Sequence, residues 1–192
     1  MNPSRLYGPS VLSSLAFGGI AFFAASRTWA HATVTADGVP SAPINVSGAD
    51  AVGLVPALAL VVVTAALAVL AASARIRRGV GVLMVVVSVI AIVVIIRAGG
   101  AIDDAVTSAV HDSPAFIGGN TPETVSHGVW RWIALIAFLG AAFVGGVIAR
   151  FGSHWPTMGR KYDAPAAHTP TDSVEDDGDI WKALDEGRDP TQ

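Results

Sequence analysis

The sequence predicts an all-α integral membrane protein with four transmembrane helices and a disordered cytoplasmic C-terminal tail. Hydrophobic residues make up 52% of the 192 residues, and charged residues make up only 14%, whereas soluble domains carry about 25% charged residues. The charges also gather in short stretches and leave four long apolar runs between them. A composition and a charge pattern of this kind are typical of a chain that crosses a membrane several times.

The four apolar runs have the length of transmembrane helices. They cover about 6–25, 51–74, 79–96 and 129–149, and a helix needs about 20 residues to cross the hydrocarbon core. In lipid a helix satisfies its own backbone hydrogen bonds, which an open strand cannot do. The third run is rich in Val and Ile but is too long for an ordinary buried strand. We therefore predict a four-span bundle within residues 1–152 and a cytoplasmic tail over residues 153–192.

The first run has a second interpretation. It contains serines, glycines and a proline, and "AHA" at Ala30–Ala32 resembles the cleavage site of a signal peptide. The run is longer than the apolar core of about 7–15 residues that signal peptides use, which favours an uncleaved span. Cleavage would leave the other three spans in the same orientation.

Lysine and arginine are placed asymmetrically around the spans, and cytoplasmic flanks are the ones enriched in these residues. One side carries Arg5, Arg75, Arg77, Arg78, Arg150, Arg160 and Lys161, and the other carries Arg27, Arg97 and Arg131. The bias predicts a multi-pass plasma-membrane protein with both termini in the cytoplasm. Residues 26–50 and 97–128 would then lie outside.

The two outer segments differ in their patterns. Residues 35–50 are rich in Gly, Pro, Ser and Asp and predict a loop. In residues 101–110 the apolar positions follow helical spacing, so either a short helix at the outer surface or an extension of the third span is expected there. "NTPETV" offers Thr121 as an N-cap and Pro122 as a first helical residue. The fourth span is therefore expected to begin as a helix outside the membrane.

Aromatic and cationic residues at the span ends predict contacts with the lipid bilayer. Trp130, Arg131 and Trp132 indicate an aromatic belt with an arginine whose head reaches the interface. At the other end of the fourth span, Arg150, Trp155, Arg160 and Lys161 are expected to lie at the level of anionic headgroups. These seven residues form the predicted membrane anchor.

The sequence lacks the residue patterns of an active site. There is no cysteine, the five histidines show no metal-ligand spacing, and no span carries a charge at its centre. We therefore expect no enzymatic activity, no catalytic residues, no cofactor and no metal. The net charge of −3 also argues against nucleic-acid binding. In the fourth span, Ala141 with Gly145 and Ala142 with Gly146 allow close helix packing, within the bundle or in an oligomer.

The tail combines disorder with a short amphipathic segment. Nine acidic residues lie between Asp163 and Gln192, with few branched aliphatic residues, which is typical of a disordered segment. Ile180, Trp181 and Leu184 would share one face of a short helix. We interpret these three residues, together with Tyr162, as a docking site for a protein partner. Weak packing on the membrane surface is the alternative, although the surrounding acidic charge opposes it.

Several motifs resemble those of a known family. "WPTMGRKYDAP" follows the last span and "DIWKALDEGRDPT" lies at the C-terminus, while "RTW" follows the first span and "SGAD" precedes the second. In these features the chain resembles the tryptophan-associated transmembrane protein family of actinobacteria, except that Lys161 stands where the family pattern has Arg. The resemblance implies four spans and genes near those of tryptophan biosynthesis, but no catalytic residues.

These observations favour a non-enzymatic accessory or docking protein. The alternative function is a small oligomeric transporter or exporter of an aromatic metabolite. No polar path crosses any single span in the sequence, so transport would require several chains.

Overall fold

The computed structural model describes residues 6–36, 39–113 and 125–155, and every structural statement below concerns these residues. They all belong to the first of two units into which the chain divides, Met1–Thr157. The predicted disordered tail, the predicted helix start at Thr121 and the predicted docking site lie outside the described residues.

The described chain contains six helices and three strands. In chain order they are α1 Tyr7–Ala25, β1 Thr28–Ala36, β2 Val39–Ser47, α2 Gly48–Ala51, α3 Leu54–Ala71, α4 Ala74–Arg97, α5 Gly99–His111, β3 Val125–His127 and α6 Trp130–Phe151. By length and composition α1, α3, α4 and α6 are able to cross a membrane. The predicted helical membrane fold with four transmembrane helices is confirmed.

The four long helices form a ring in which each packs against two others. Helix α1 packs against α3 and α6, and α4 packs against the same two helices. The buried positions on α4 include Gly81, Met84, Ser88, Ala91 and Ile95. They alternate at intervals of three and four residues, which is the spacing of helices that cross at a small angle. The interior combines small residues, where neighbouring backbones are able to approach closely, with large apolar side chains such as Met84, Ile95 and Phe138.

The closest approach in the ring joins Gly81 of α4 to the last turns of α6. A Cβ atom at Gly81 would lie 2.5 Å from the Ala149 nitrogen and 2.8 Å from the Gly145 oxygen. At Gly146, in contrast, a Cβ atom would meet nothing within 4 Å among the described residues. Of the two predicted small-residue pairs, the one that contains Gly145 thus packs inside the bundle.

A three-stranded antiparallel sheet covers one end of the bundle, in the order β2–β1–β3. The prediction that residues 35–50 form a loop is therefore wrong. Ala32, Val34, Ile44 and Val46 are buried in an alternating pattern, as expected for strands with one covered face. The prolines of β2 are accommodated because β2 is an edge strand, where a missing N–H group breaks no ladder.

Helix α5 supplies the cover for this sheet. Ile102, Val106 and Val110 are buried at intervals of four residues, and α5 contacts β1, β2 and α2. The predicted short helix over 101–110 is confirmed. The expectation that the fourth span begins as a helix outside the membrane is wrong for residues 125–127, because they pair with β1 as strand β3. Helix α6 begins at Trp130.

Candidate functional site

The predicted anchor residues lie at the two ends of the helix bundle. We call the end that carries the sheet the sheet end, and the end with the turn at residues 72–73 the turn end. Trp130, Arg131 and Trp132 lie at the sheet end, and Arg150 and Trp155 lie at the turn end. The remaining predicted site residues, Arg160, Lys161, Tyr162, Ile180, Trp181 and Leu184, lie outside the described residues.

At the sheet end Arg131 binds the last turn of a neighbouring span. Its Nε and Nη2 atoms lie 3.2 and 2.9 Å from the Ile95 oxygen, and Nη2 lies 3.0 Å from the Ile96 oxygen. The last carbonyls of a helix lack donors within the helix, and a positive charge is favourable beside them. Arg131 thus joins the start of α6 to the end of α4. Its role as a lipid anchor stays a prediction.

The two tryptophans beside Arg131 have different surroundings. Trp130 packs edge-on against Phe23, with ring centroids 5.7 Å apart, and the Arg27 guanidinium carbon lies 4.2 Å from the centroid of Phe23. Trp132 is 61% exposed. Trp132 is therefore the more exposed of the two rings, and its place in an aromatic belt stays a prediction.

The motifs "RTW" and "SGAD" meet at the sheet end. Trp29 is 1% exposed, and its Nε1 atom donates a hydrogen bond of 2.9 Å to the Ala24 oxygen. A Cβ atom at Gly48 would overlap the Trp29 ring, so only glycine fits there. Ser47 and Asp50 form a capping box at the start of α2. The two motifs therefore fasten the first hairpin to the end of α1.

This contact was missed in the sequence because residues 35–50 were interpreted as a loop. Thr28 pairs with Ser47 in the ladder between β1 and β2. This register brings Trp29 of the first motif close to Gly48 of the second motif. The contact can be predicted only when both segments are recognised as strands. The signal in the sequence that could have revealed this contact is the position of "RTW" and "SGAD" at the two ends of a segment in which apolar and polar residues alternate.

At the turn end Tyr7 lies between a buried cation and a buried indole ring. Arg77 is 3% exposed; its Nε atom donates to the Val69 oxygen at 3.2 Å, and its guanidinium carbon lies 5.1 Å from the centroid of Tyr7. Trp155 packs edge-on against Tyr7, with the two ring centroids 5.3 Å apart. The cluster ties together the ends of α1, α3 and α4 and the segment that follows α6.

Trp155 packs on the protein at the turn end, and its role as a headgroup-level anchor stays a prediction. Trp155 is 3% exposed and follows the short 3₁₀ turn Gly152–His154, where Gly152 packs against the side chain of Arg77. The ring packs on the aromatic surface that Tyr7 offers at the start of α1. Arg150 is exposed and lies beside the ring of Phe151, and its anchoring role stays a prediction.

The interior of the described bundle contains few polar side chains. Among residues 6–36, 39–113 and 125–155, the buried hydroxyl or charged side chains are those of Ser10, Ser14, Arg77 and Ser88. The same part of the chain contains no group of three His, Cys, Asp or Glu side chains able to hold a metal ion. The arrangements at both ends position and fasten segments of the chain by hydrogen bonds and ring contacts.

Comparison with known proteins gives one family. No curated protein and no solved structure matches the chain. The sequence model of the tryptophan-associated transmembrane proteins matches residues 11–191, which include most of the first span, the other three spans and both tail motifs. The protein is therefore a multi-pass membrane protein that belongs to the tryptophan-associated transmembrane protein family.

Proposed function

We propose that the protein is a non-enzymatic accessory protein of the plasma membrane that holds its C-terminal tail at the cytoplasmic face for a protein partner. The observation that carries this proposal is the cluster of Tyr7, Arg77 and Trp155. Trp155 is buried against Tyr7 shortly after α6 ends at Phe151, so the chain stays at the turn end of the bundle up to this residue. Fixing one end of a tethered segment raises its effective concentration near the membrane.

The few polar side chains inside the described bundle also support an accessory role. Transport of an aromatic metabolite through a single chain would require polar groups along a path between the helices. Ser14 donates to the Ser10 oxygen at 2.8 Å within its own helix, and Arg77 lies at the turn end. Uptake of labelled tryptophan into vesicles that contain the protein would favour the transporter function instead.

The proposed orientation places the turn end in the cytoplasm. Arg75, Arg77, Arg78 and Arg150 lie at that end, as expected for a cytoplasmic face. Because the chain has no cysteine, single serine-to-cysteine changes report the orientation directly. Ser41→Cys and Ser126→Cys, both exposed on the sheet, are expected to react with a membrane-impermeant maleimide on intact cells.

The matched control is Ser73→Cys, an exposed position in the turn between α3 and α4. It is expected to react only after the cells are opened. Labelling of Ser73→Cys on intact cells, with Ser41→Cys protected, would reverse the orientation.

Mass spectrometry of the purified protein tests the signal-peptide alternative, because a chain that begins at His31 or later would lack α1. Loss of α1 would remove a packing partner from both α3 and α6, which supports an uncleaved span.

Truncation after Pro170 tests docking through the tail. The shortened protein is expected to insert and to keep its thermal midpoint, because the described bundle ends before the truncation, while capture of the cytoplasmic partner is lost. Trp181→Ala is expected to weaken capture by about 2 kcal/mol or more, which is about a 30-fold loss of affinity. Lys182→Ala, one residue away, is the control and should change affinity little. Capture of the same partners by the truncated protein would exclude this function.

A further inference from the structure

Arg27 lies over an aromatic surface at the sheet end. Its backbone is fixed on both sides, because its N–H donates to the Ala24 oxygen at 3.3 Å and its carbonyl accepts from the Gly48 nitrogen at 3.2 Å. Its guanidinium carbon lies 4.2 Å from the centroid of the Phe23 ring and 5.8 Å from that of Trp130. Contact with a ring face positions a guanidinium without using its five N–H donors. The side chain is therefore pre-organised for an acceptor that approaches from outside the bundle.

The surroundings of Arg27 favour a negative charge. Helix α6 begins at Trp130, and its first turn contains no acidic residue and no side-chain cap. The N–H groups at the start of a helix carry a partial positive charge and attract anions. Arg131, the next residue along α6, brings a second cation to the sheet end. The ligand that complements this charge is an anion.

An apolar stripe leads away from Arg27 along the outer face of α1. Leu12, Ala16, Ile20 and Phe23 are exposed, and their spacing of three and four residues places them on one side of the helix. Arg27 follows Phe23 after four more residues. A phospholipid has the same arrangement, with a phosphate at one end and apolar chains along the rest of the molecule. The stripe therefore complements an acyl chain whose phosphate lies beside Arg27.

We propose that Arg27, Phe23 and Trp130 form a binding site for the phosphate group of a phospholipid. The guanidinium donates to two phosphate oxygens, as its planar fork allows. The Phe23 ring holds the guanidinium in place, and Trp130 packs edge-on against Phe23 and supports it from the start of α6. One acyl chain lies along the exposed stripe of α1.

The lipid site is separate from the docking function proposed above. It lies at the sheet end, whereas docking concerns the tail that follows the turn end. A soluble phosphate ester offers the same phosphate chemistry, but it has no acyl chain to cover the stripe. The phosphate of a lipid therefore satisfies both the charge at Arg27 and the apolar surface beside it.

Titration of the full-length protein with phosphatidylglycerol in detergent, followed by native mass spectrometry, tests the site. Arg27→Gln is expected to lower the affinity for the first bound lipid about tenfold, because a charge-assisted pair with phosphate is lost. Arg27→Lys is expected to give an intermediate affinity, since an ammonium does not bind phosphate through a planar fork. Phe23→Leu keeps an apolar side chain but removes the ring face, and is expected to lower the affinity about threefold.

Arg97→Gln is the matched control, because Arg97 is an exposed cation at the same end of the bundle, in the last turn of α4. It removes the same charge and is expected to change the affinity by less than about twofold. Equal losses for Arg27→Gln and Arg97→Gln would indicate a general attraction of anionic lipid to positive charge and would overturn the proposed site.

Glycerol 3-phosphate distinguishes a lipid from a soluble phosphate ester. It carries the phosphate without acyl chains, and it is expected to bind about 100-fold more weakly than phosphatidylglycerol, because the stripe of α1 stays uncovered. Equal affinities for the two compounds would exclude a lipid as the occupant. Arg27→Gln is expected to keep the thermal midpoint of the unaltered protein, since the side chain is exposed and the two hydrogen bonds of its backbone remain. Unchanged lipid affinity in this folded variant would exclude the site.

Discussion

Replacing Gly81 with leucine is expected to force α4 and α6 apart and to lower the free energy of unfolding by at least about 3 kcal/mol. A side chain at this position would meet backbone atoms of Gly145 and Ala149, which cannot rotate away as a flexible side chain does. In purified protein, the thermal midpoint is expected to fall by about 6–12 °C. The expectation follows from a helix crossing with no space for a Cβ atom.

The controls for this change come from glycines with open surroundings. Gly79 lies in the same helix two residues earlier, and Gly146 lies beside Gly145; a Cβ atom at either position meets nothing described within 4 Å. Gly79→Leu and Gly146→Leu are each expected to change the free energy of unfolding by less than about 0.5 kcal/mol. Equal losses for Gly79→Leu and Gly81→Leu would contradict a specific contact between α4 and α6.

Replacing Trp29 with alanine is expected to be the second most damaging change, at about 3–5 kcal/mol. It removes a fully buried ring and its hydrogen bond to the Ala24 oxygen, and it leaves a void in front of Gly48. The hairpin of β1 and β2 would lose its attachment to the end of α1. A lower thermal midpoint and faster proteolysis within residues 28–47 are the measurements.

Trp132→Ala is the matched control, because Trp132 is also a tryptophan at the sheet end but is 61% exposed. Its loss is expected to leave both the thermal midpoint and the rate of proteolysis nearly unchanged. A similar effect of Trp29→Ala and Trp132→Ala would mean that the hairpin is held by something other than the Trp29 ring.

The four spans and helix α5 could be predicted because their signals are local. A run of about twenty apolar residues has few alternatives in lipid, and the stripe of Ile102, Val106 and Val110 repeats with a helical period. The sheet could not be predicted in the same way. Pro40 and Pro43 indicated a loop, and only the position of β2 at the edge of the sheet makes them compatible with a strand.

The contacts at the two ends of the bundle depend on tertiary structure that no local pattern encodes. Arg77 was counted only as a charge that sets orientation, although it binds the end of α3 and the ring of Tyr7. The basic neighbours of Trp155 in sequence favour a place at the lipid interface, and that place stays a prediction. The contact with Tyr7 joins two residues that are far apart in sequence, so no local pattern could predict it.

The order of strands in the sheet constrains how the protein is made. Strand β1 precedes the second span. Strand β3, which pairs with one edge of β1, directly precedes the last span. During synthesis the β1–β2 hairpin emerges early with that edge unpaired, and exposed edges invite pairing with other chains. In the proposed orientation, pairing is complete only after Val125–His127 has been translocated. Biogenesis therefore couples insertion of the final helix to closure of the sheet, so that a chain stalled before α6 retains an open, association-prone edge.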